Sequence, residues 1–371
     1  MGVRAALAAA GAVMGVAALA RAAWGVPGQI GASTAAIAPH AHGSARYRGR
    51  RFHNTDPSSQ VVRGSESSLL SSILTRGRLG RPRRPIPIAT PLAPVEAAEL
   101  ALTWYGHSSV LVEIDGFRVL ADPVWSRRVS PSRLIGPARL HPTPVAVADL
   151  PPVDAVVISH DHYDHLDKAT VEALVRTQRA PFVVPTGIGA HLRHWRVPEE
   201  RIVELDWDEQ VTLGGLSLTC TEARHFSGRG LQRNTTLWAS WVMRGSAHAA
   251  FFGGDTGYSP RFAEIGERHG PFDLTLLPVG AYDEHWPDIH MNPEEAVRMH
   301  ADLSAGDDTA GVLVPVHWAT FNLAFHPWVE PVTRLLAAAG KSGTRVRIPM
   351  PGQRIDLLRP DAQRRWWLGL A

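Results

Sequence analysis

The sequence predicts an α/β fold in which two mixed sheets face each other and helices cover their outer sides. Three observations point there. Short apolar, β-branched runs recur between residues 102 and 316, the pattern of strands covered on both faces. Hairpin turns and strand–helix units are mixed within the first half of the chain, and the second half repeats that recipe without a close internal repeat. Two facing sheets with helices outside bury this many apolar strands.

The elements follow in order. Residues 102–107, 110–114 and 117–121 read as strands, with Asp115 and Gly116 as a hairpin turn and Asp122-Pro123 ending the third. Residues 153–159 form the next strand, 168–178 a helix, and 181–185 a returning strand. Short strands are predicted over 202–205, 210–213, 216–221, 236–243, 249–253 and 312–316, and helices over 261–268, 293–303 and 332–339.

These elements lie in a domain over 96–371. Residues 1–40 are expected outside the fold. Arg4 precedes an uncharged Ala-rich run ending at Arg21, and Ala18-Leu19-Ala20 offers small residues suited to cleavage. The run is shorter than the ~20 residues a membrane span needs. The expectation is export or membrane tethering, with an uncleaved anchor as the alternative. Residues 41–95 form an extension rich in Arg, Ser, Gly and Pro, with Arg76, Arg78, Arg81, Arg83 and Arg84 as a basic run. A solvated linker is the plain interpretation. The sharper one is a patch facing anionic lipid, worth about 1 kcal/mol per Arg near such a surface.

With 38 basic against 35 acidic residues, the chain-wide field is weak despite a pI near 9.3. Nearly all the basic residues are Arg, the lysines being Lys168 and Lys341. The Arg run precedes the domain instead of forming a basic face with stacking aromatics, so no nucleic-acid partner is expected. The single cysteine, Cys220, sits in an alternating strand run and forms no intrachain disulfide. Oligomeric state is left open.

The run 154–159 ends at Ser159, and His160, His162, Asp164 and His165 follow within six residues. In a tight loop, residues two apart point the same way, so His160 and His162 close on one cation while Asp164 and His165 reach a second. Imidazole and carboxylate suit a borderline cation such as zinc. Burying that many polar groups without partners costs several kcal/mol, roughly 2 or more each. His225, Asp255 and His317 each stand just after a predicted strand, where a sheet edge presents them rigidly.

These residues carry a resemblance. HDHYDH matches the HxHxDH signature of the metallo-β-lactamase superfamily, and His225, Asp255 and His317 stand at the positions of its later ligands. More narrowly, the chain resembles the N-acyl-phosphatidylethanolamine-hydrolysing phospholipase D group. The shared segments are WYGHSS from Trp104, LADPVW from Leu120, GDTGY from Gly254, PVGAY from Pro278, NPEEAVRMH from Asn292 and HWATF from His317. The resemblance implies an αββα sandwich with the site at one edge. It also implies two zinc ions: His160, His162 and His225 on one, Asp164, His165 and His317 on the other, and Asp255 bridging. The same resemblance implies that Asp122 braces the loops from behind the ligands, and His107 is expected to hydrogen-bond near the metals.

Two zinc ions about 3.5–4 Å apart can hold a hydroxide that attacks phosphorus in line. The implied reaction converts an N-acylated phospholipid to phosphatidic acid and an N-acylethanolamine, with a membrane surface as the expected partner. Asp164, as a ligand, and His290, as proton donor to the leaving alkoxide, are the catalytic candidates. His326 is expected at the substrate entrance. Residues 283–290 replace a longer segment of the animal enzymes, so hydrolysis of a lactone or sugar-phosphate lactone on the same metals is the alternative.

Overall fold

The computed structural model describes residues 20–62, 79–91, 94–304, 311–359 and 361–370. Two sheets pack face to face. The first has seven strands in the order β15-β3-β4-β5-β6-β7-β8: Arg354–Asp356 (β15), Leu100–Gly106 (β3), Ser109–Ile114 (β4), Phe117–Ala121 (β5), Ala155–Val157 (β6), Phe182–Pro185 (β7) and Ile202–Leu205 (β8). The second has six in the order β14-β13-β12-β11-β10-β9: Val312–Val316 (β14), Leu274–Pro278 (β13), Ala249–Phe252 (β12), Ser240–Arg244 (β11), Leu216–Thr221 (β10) and Gln210–Leu213 (β9). Each sheet is antiparallel on one side and parallel on the other. The switch falls at β5 in the first and β12 in the second.

Strand periodicity explains the layers. Val119, Ala121, Ala155, Val157 and Val183 point into the core between the sheets. Their neighbours Leu120, Val156, Ile158, Phe182 and Val184 point the other way, because alternate residues face opposite sides. Helices Lys168–Thr177 (α3) and Ile188–His194 (α4) cover that outer face through Val171, Leu174, Ile188 and Leu192. On the other sheet lie Phe262–His269 (α5), Pro293–Leu303 (α6) and Glu330–Ser342 (α7). The αββα sandwich is therefore as expected. Helix α6 starts where its sequence dictates. Asn292 accepts from the Glu295 amide at 3.0 Å, Glu295 accepts from the Asn292 amide at 2.9 Å, and Pro293 takes the first turn.

The N-terminal boundary needs correction. Residues 1–19, with the apolar run, and Arg76 and Arg78 lie outside the described residues. Residues 26–41, expected outside the fold, instead form helices Val26–Ile30 (α1) and Thr34–Ala41 (α2) that pack on it. They are held by backbone groups and by a small apolar contact: the Trp195 indole donates to the Gly28 carbonyl at 2.9 Å, the Ala32 amide donates to His191 Nδ1 at 3.0 Å, and Ile37 packs with Ala32 and Ala190. The extension also enters the fold through the short hairpin Tyr47–Arg48 (β1) and Arg51–Phe52 (β2), with Phe52 fully buried. Strand β13, helix α4 and strand β15 were not anticipated. Among the described residues no helix is long and apolar enough to cross a membrane.

Candidate metal centre

Every residue of the centre follows the end of a strand. The loop from His160 to His165 leaves β6, and Asp122 leaves the neighbouring β5. Asp122 is buried and holds a left-handed φ of 39°, a conformation kept at non-glycine positions only when its surroundings enforce it. Its Oδ1 accepts from the Ser159 amide at 2.7 Å. Its Oδ2 accepts from the Ser159 hydroxyl and from His165 Nδ1, both at 2.6 Å. The Ser159 hydroxyl in turn accepts from His160 Nδ1 at 2.9 Å. One carboxylate thus orients two imidazoles and leaves both Nε2 atoms aimed into the site. His225 is set similarly, with Nδ1 donating to the Ile289 carbonyl at 2.8 Å.

Asp255 reaches the site because Gly254 lets the two sheets come close. Gly254 has a φ of 58°, and a Cβ there would lie 2.5 Å from the Ser159 Cβ. His317 leaves β14 with a φ of 59°, its amide donating to the His107 carbonyl at 3.0 Å.

The ligand atoms form two sets. His162 Nδ1 lies 2.8 Å from His160 Nε2 and 3.3 Å from His225 Nε2. Asp164 Oδ2 lies 3.5 Å from His165 Nε2 and 3.4 Å from His317 Nε2. Asp255 Oδ2 stands between them, 3.1 Å from both His165 and His317 and 3.9 and 3.8 Å from His160 and His225. All seven expected ligands are brought together.

Electrostatics divides the sets. Burial, reinforced by the neighbouring imidazoles His165, His162 and His225, pushes His160 well below the ordinary histidine range; burial does the same to His225. Both stay neutral and fit to coordinate. Burial also opposes charge on His165 and His317, but Asp255 and Asp164 outweigh it, raising His165 well above its usual value and His317 to about 9. The same pairing holds the Asp164 and Asp255 carboxyls well below the ordinary range against burial. His165 Nε2, His317 Nε2 and Asp255 Oδ1 are buried without a hydrogen-bond partner. A folded protein avoids such orphans unless something else satisfies them, and a divalent cation with nitrogen and oxygen ligands does so.

A model of the β-lactamase superfamily domain matches residues 117–318, a span holding Asp122 and all seven ligands. The chain belongs to the metallo-β-lactamase superfamily. It is 56% identical over 352 residues, 94% of each chain, to the uncharacterised protein Rv0906 of Mycobacterium tuberculosis. It is 36% identical over 249 residues to N-acyl-phosphatidylethanolamine-hydrolyzing phospholipase D 1 of Caenorhabditis elegans, 64% of this chain and 68% of that one. Among solved structures, the metallo hydrolase Igni18 of Ignicoccus hospitalis superposes with a TM-score of 0.53 at 24% identity, covering 69% of this chain and 97% of the other. The superfamily's hydrolase chemistry and metal dependence extend to this chain.

The remaining expected residues of this metallo-hydrolase fall in three places. His107, with a φ of 54°, donates from Nε2 to Asp164 Oδ2 at 3.0 Å. His290 is half-buried beside the site, its Nδ1 4.0 Å from Asp255 Oδ2; desolvation lowers it to about 4. His326 differs from expectation. Its Nε2 accepts from the Ala281 amide at 3.1 Å, its Nδ1 donates to the Pro327 carbonyl at 3.1 Å, and its ring stacks on Tyr282. Both polar atoms are committed to backbone, so it fixes the 281–282 turn and offers a substrate only its ring.

Four further bracing residues escaped the sequence. Asn54 clasps His225 from both sides, donating to its carbonyl at 2.8 Å and accepting from its amide at 3.1 Å. Asp161, inside the ligand loop, points away from the metals, accepting from the Gly228 amide and the Thr236 hydroxyl with His191 Nε2 at 3.4 Å. Buried Arg229 donates to the Asp161 and Leu166 carbonyls at 2.7 Å and to the Gln29 carbonyl of the N-terminal segment. The alternation of His160, Asp161 and His162 signals that Asp161 faces the opposite side. For Asn54, His191 and Arg229 no local pattern existed.

Proposed function

We propose that the chain is a di-zinc phosphodiesterase that cleaves N-acyl-phosphatidylethanolamine-type phospholipids to phosphatidic acid and an N-acylethanolamine. One observation carries the reading: a carboxylate oxygen, Asp255 Oδ2, lies within 3.9 Å of four imidazole nitrogens belonging to two ligand sets. The 36% identity to a phospholipase of that specificity supports the substrate class.

His160, His162 and His225 would hold one zinc, and Asp164, His165 and His317 the other, with Asp255 shared. Bound zinc supplies an ionised water near neutral pH and charge neutralisation at a phosphodiester. The protein's part is to keep the site ready. Asp122 and Ser159 fix the His160 and His165 rings, and the Ile289 carbonyl fixes His225. Fixed donors aimed at developing charge cost no reorganisation during the reaction. His290 is held neutral at pH 7 by burial. We therefore assign it a hydrogen bond to a substrate oxygen as a neutral imidazole, in place of the general-acid role the sequence suggested.

The test is incubation of purified protein with an N-acyl-phosphatidylethanolamine, with N-acylethanolamine and zinc content both measured by mass spectrometry. Release of the amide by wild type, and its loss in Asp255→Ala, is the expected result. Turnover of a lactone without any release from the lipid overturns the substrate class.

A further inference from the structure

Beside the metal centre lies an open cavity of about 1410 Å³ whose walls carry Arg81, Arg83, Arg127 and Arg128 together with Leu140 and Trp328. Typical small-molecule pockets occupy roughly 300–1,000 Å³, so the volume suits something larger than an inorganic ion. The frame is tied down on each side. Residues 127–129 pair with 137–139, the Val129 amide donating to the Pro137 carbonyl at 3.2 Å and the Arg139 amide to the Arg127 carbonyl at 2.8 Å. Opposite, the Trp328 amide donates to the Leu79 carbonyl at 2.9 Å and the Leu140 amide to the Thr320 carbonyl at 2.8 Å.

Among the described residues, no carboxylate forms an ion pair with any of the four arginines. Several other surface guanidiniums are matched, as Arg193 is by Glu199 and Glu204, Arg334 by Glu294, and Arg268 by Asp208. Four unneutralised guanidiniums around one concavity make a positive field that low-dielectric walls focus, and the planar fork of Arg matches phosphate oxygens two at a time. The apolar wall adds a second requirement that a bare phosphate does not meet. Asn322 and Trp328 line this cavity and also a void of about 20 Å³ that touches His317, so the cavity shares a wall with the metal centre's surroundings but contains none of its ligands.

We propose that this cavity is an accessory binding site for a phosphate-bearing amphiphile, an anionic phospholipid whose phosphate meets the arginines and whose acyl portion lies along Leu140 and Trp328. The choice of a lipid leans on the proposed function. The test does not, because it reads binding and not turnover.

Dihexanoyl phosphatidic acid, dihexanoyl phosphatidylcholine and inorganic phosphate are titrated calorimetrically into the intact protein, into R81E/R83E/R127E, into D255A and into R268E. Arg81, Arg83 and Arg127 are exposed, so the triple variant is expected to keep the wild-type melting temperature; the milder R81Q/R127Q replaces it otherwise. The expected result is phosphatidic acid binding that weakens at least ten-fold in the triple variant, persists in D255A and R268E, and exceeds that of the other two probes. Binding lost in D255A but kept in the triple variant assigns the ligand to the metal centre and overturns the proposal. Inorganic phosphate binding as tightly as phosphatidic acid overturns the amphiphile, and phosphatidylcholine binding equally overturns the role of charge.

Discussion

Asp122 touches no ligand atom of the centre, yet three donors converge on it and two coordinating imidazoles take their orientation from it. Removing such a partner typically costs 10–100-fold in metal affinity or activity, as an order of magnitude. Asp122→Ala is therefore expected to lose metal on dialysis and to lower turnover by a similar factor, with metal content per chain as the check. A second expectation concerns protons. With His317 raised to about 9 and His165 raised well above its ordinary value, both are protonated at pH 7 without metal. A cation must displace those protons from Nε2, so apparent affinity rises with pH until His317 titrates near pH 9. Calorimetry in buffers of different ionisation enthalpy counts the protons released; none released would remove the argument.

At the scale of elements, Gly254 joins β12 to Asp255 where a side chain has no room. Gly254→Ala combines a clash with Ser159 and an unfavourable φ, a strain of about 1–3 kcal/mol. It is expected to lower stability by that order in chemical denaturation and to displace Asp255 enough to abolish activity. Much of this level was legible in the chain. Short apolar, β-branched runs marked the strands, and five imidazoles with two carboxylates just past strand ends marked the site, because both patterns are local. The N-terminal helices were not legible. Helix α1 buries no side chain and attaches through backbone groups of Gly28 and Gln29, and α2 buries only Ile37 and Ala41, too little for an apolar stripe that residue type would reveal. Strand β13 was missed although Leu274, Leu276 and Leu277 are apolar; such a short run is ambiguous until its parallel partners β12 and β14 are known. Asn54, His191 and Arg229 act on residues far along the chain, and only the assembled fold brings them together.

For the whole molecule, the two sheets meet at the centre. The ligand loop from His160 to His165 belongs to the first sheet, while His225, Asp255 and His317 follow strands of the second. A cation held by both sheets stabilises the folded state by mass action, about 2.7 kcal/mol when its free concentration is a hundred times Kd. Chelation is thus expected to lower the melting temperature by several degrees in a differential scanning experiment, and restored zinc to return it. An unchanged melting temperature would mean that the sheets hold together without the ions.

The placement of His317 also sets an order of events during synthesis. Each ligand set takes members from both sheets, His160 and His162 with His225, and Asp164 and His165 with His317. A nascent chain therefore has a complete second set only after residue 317 has left the ribosome. Metal binding by that set is therefore a late step, and a product truncated before β14 lacks His317 and cannot complete it.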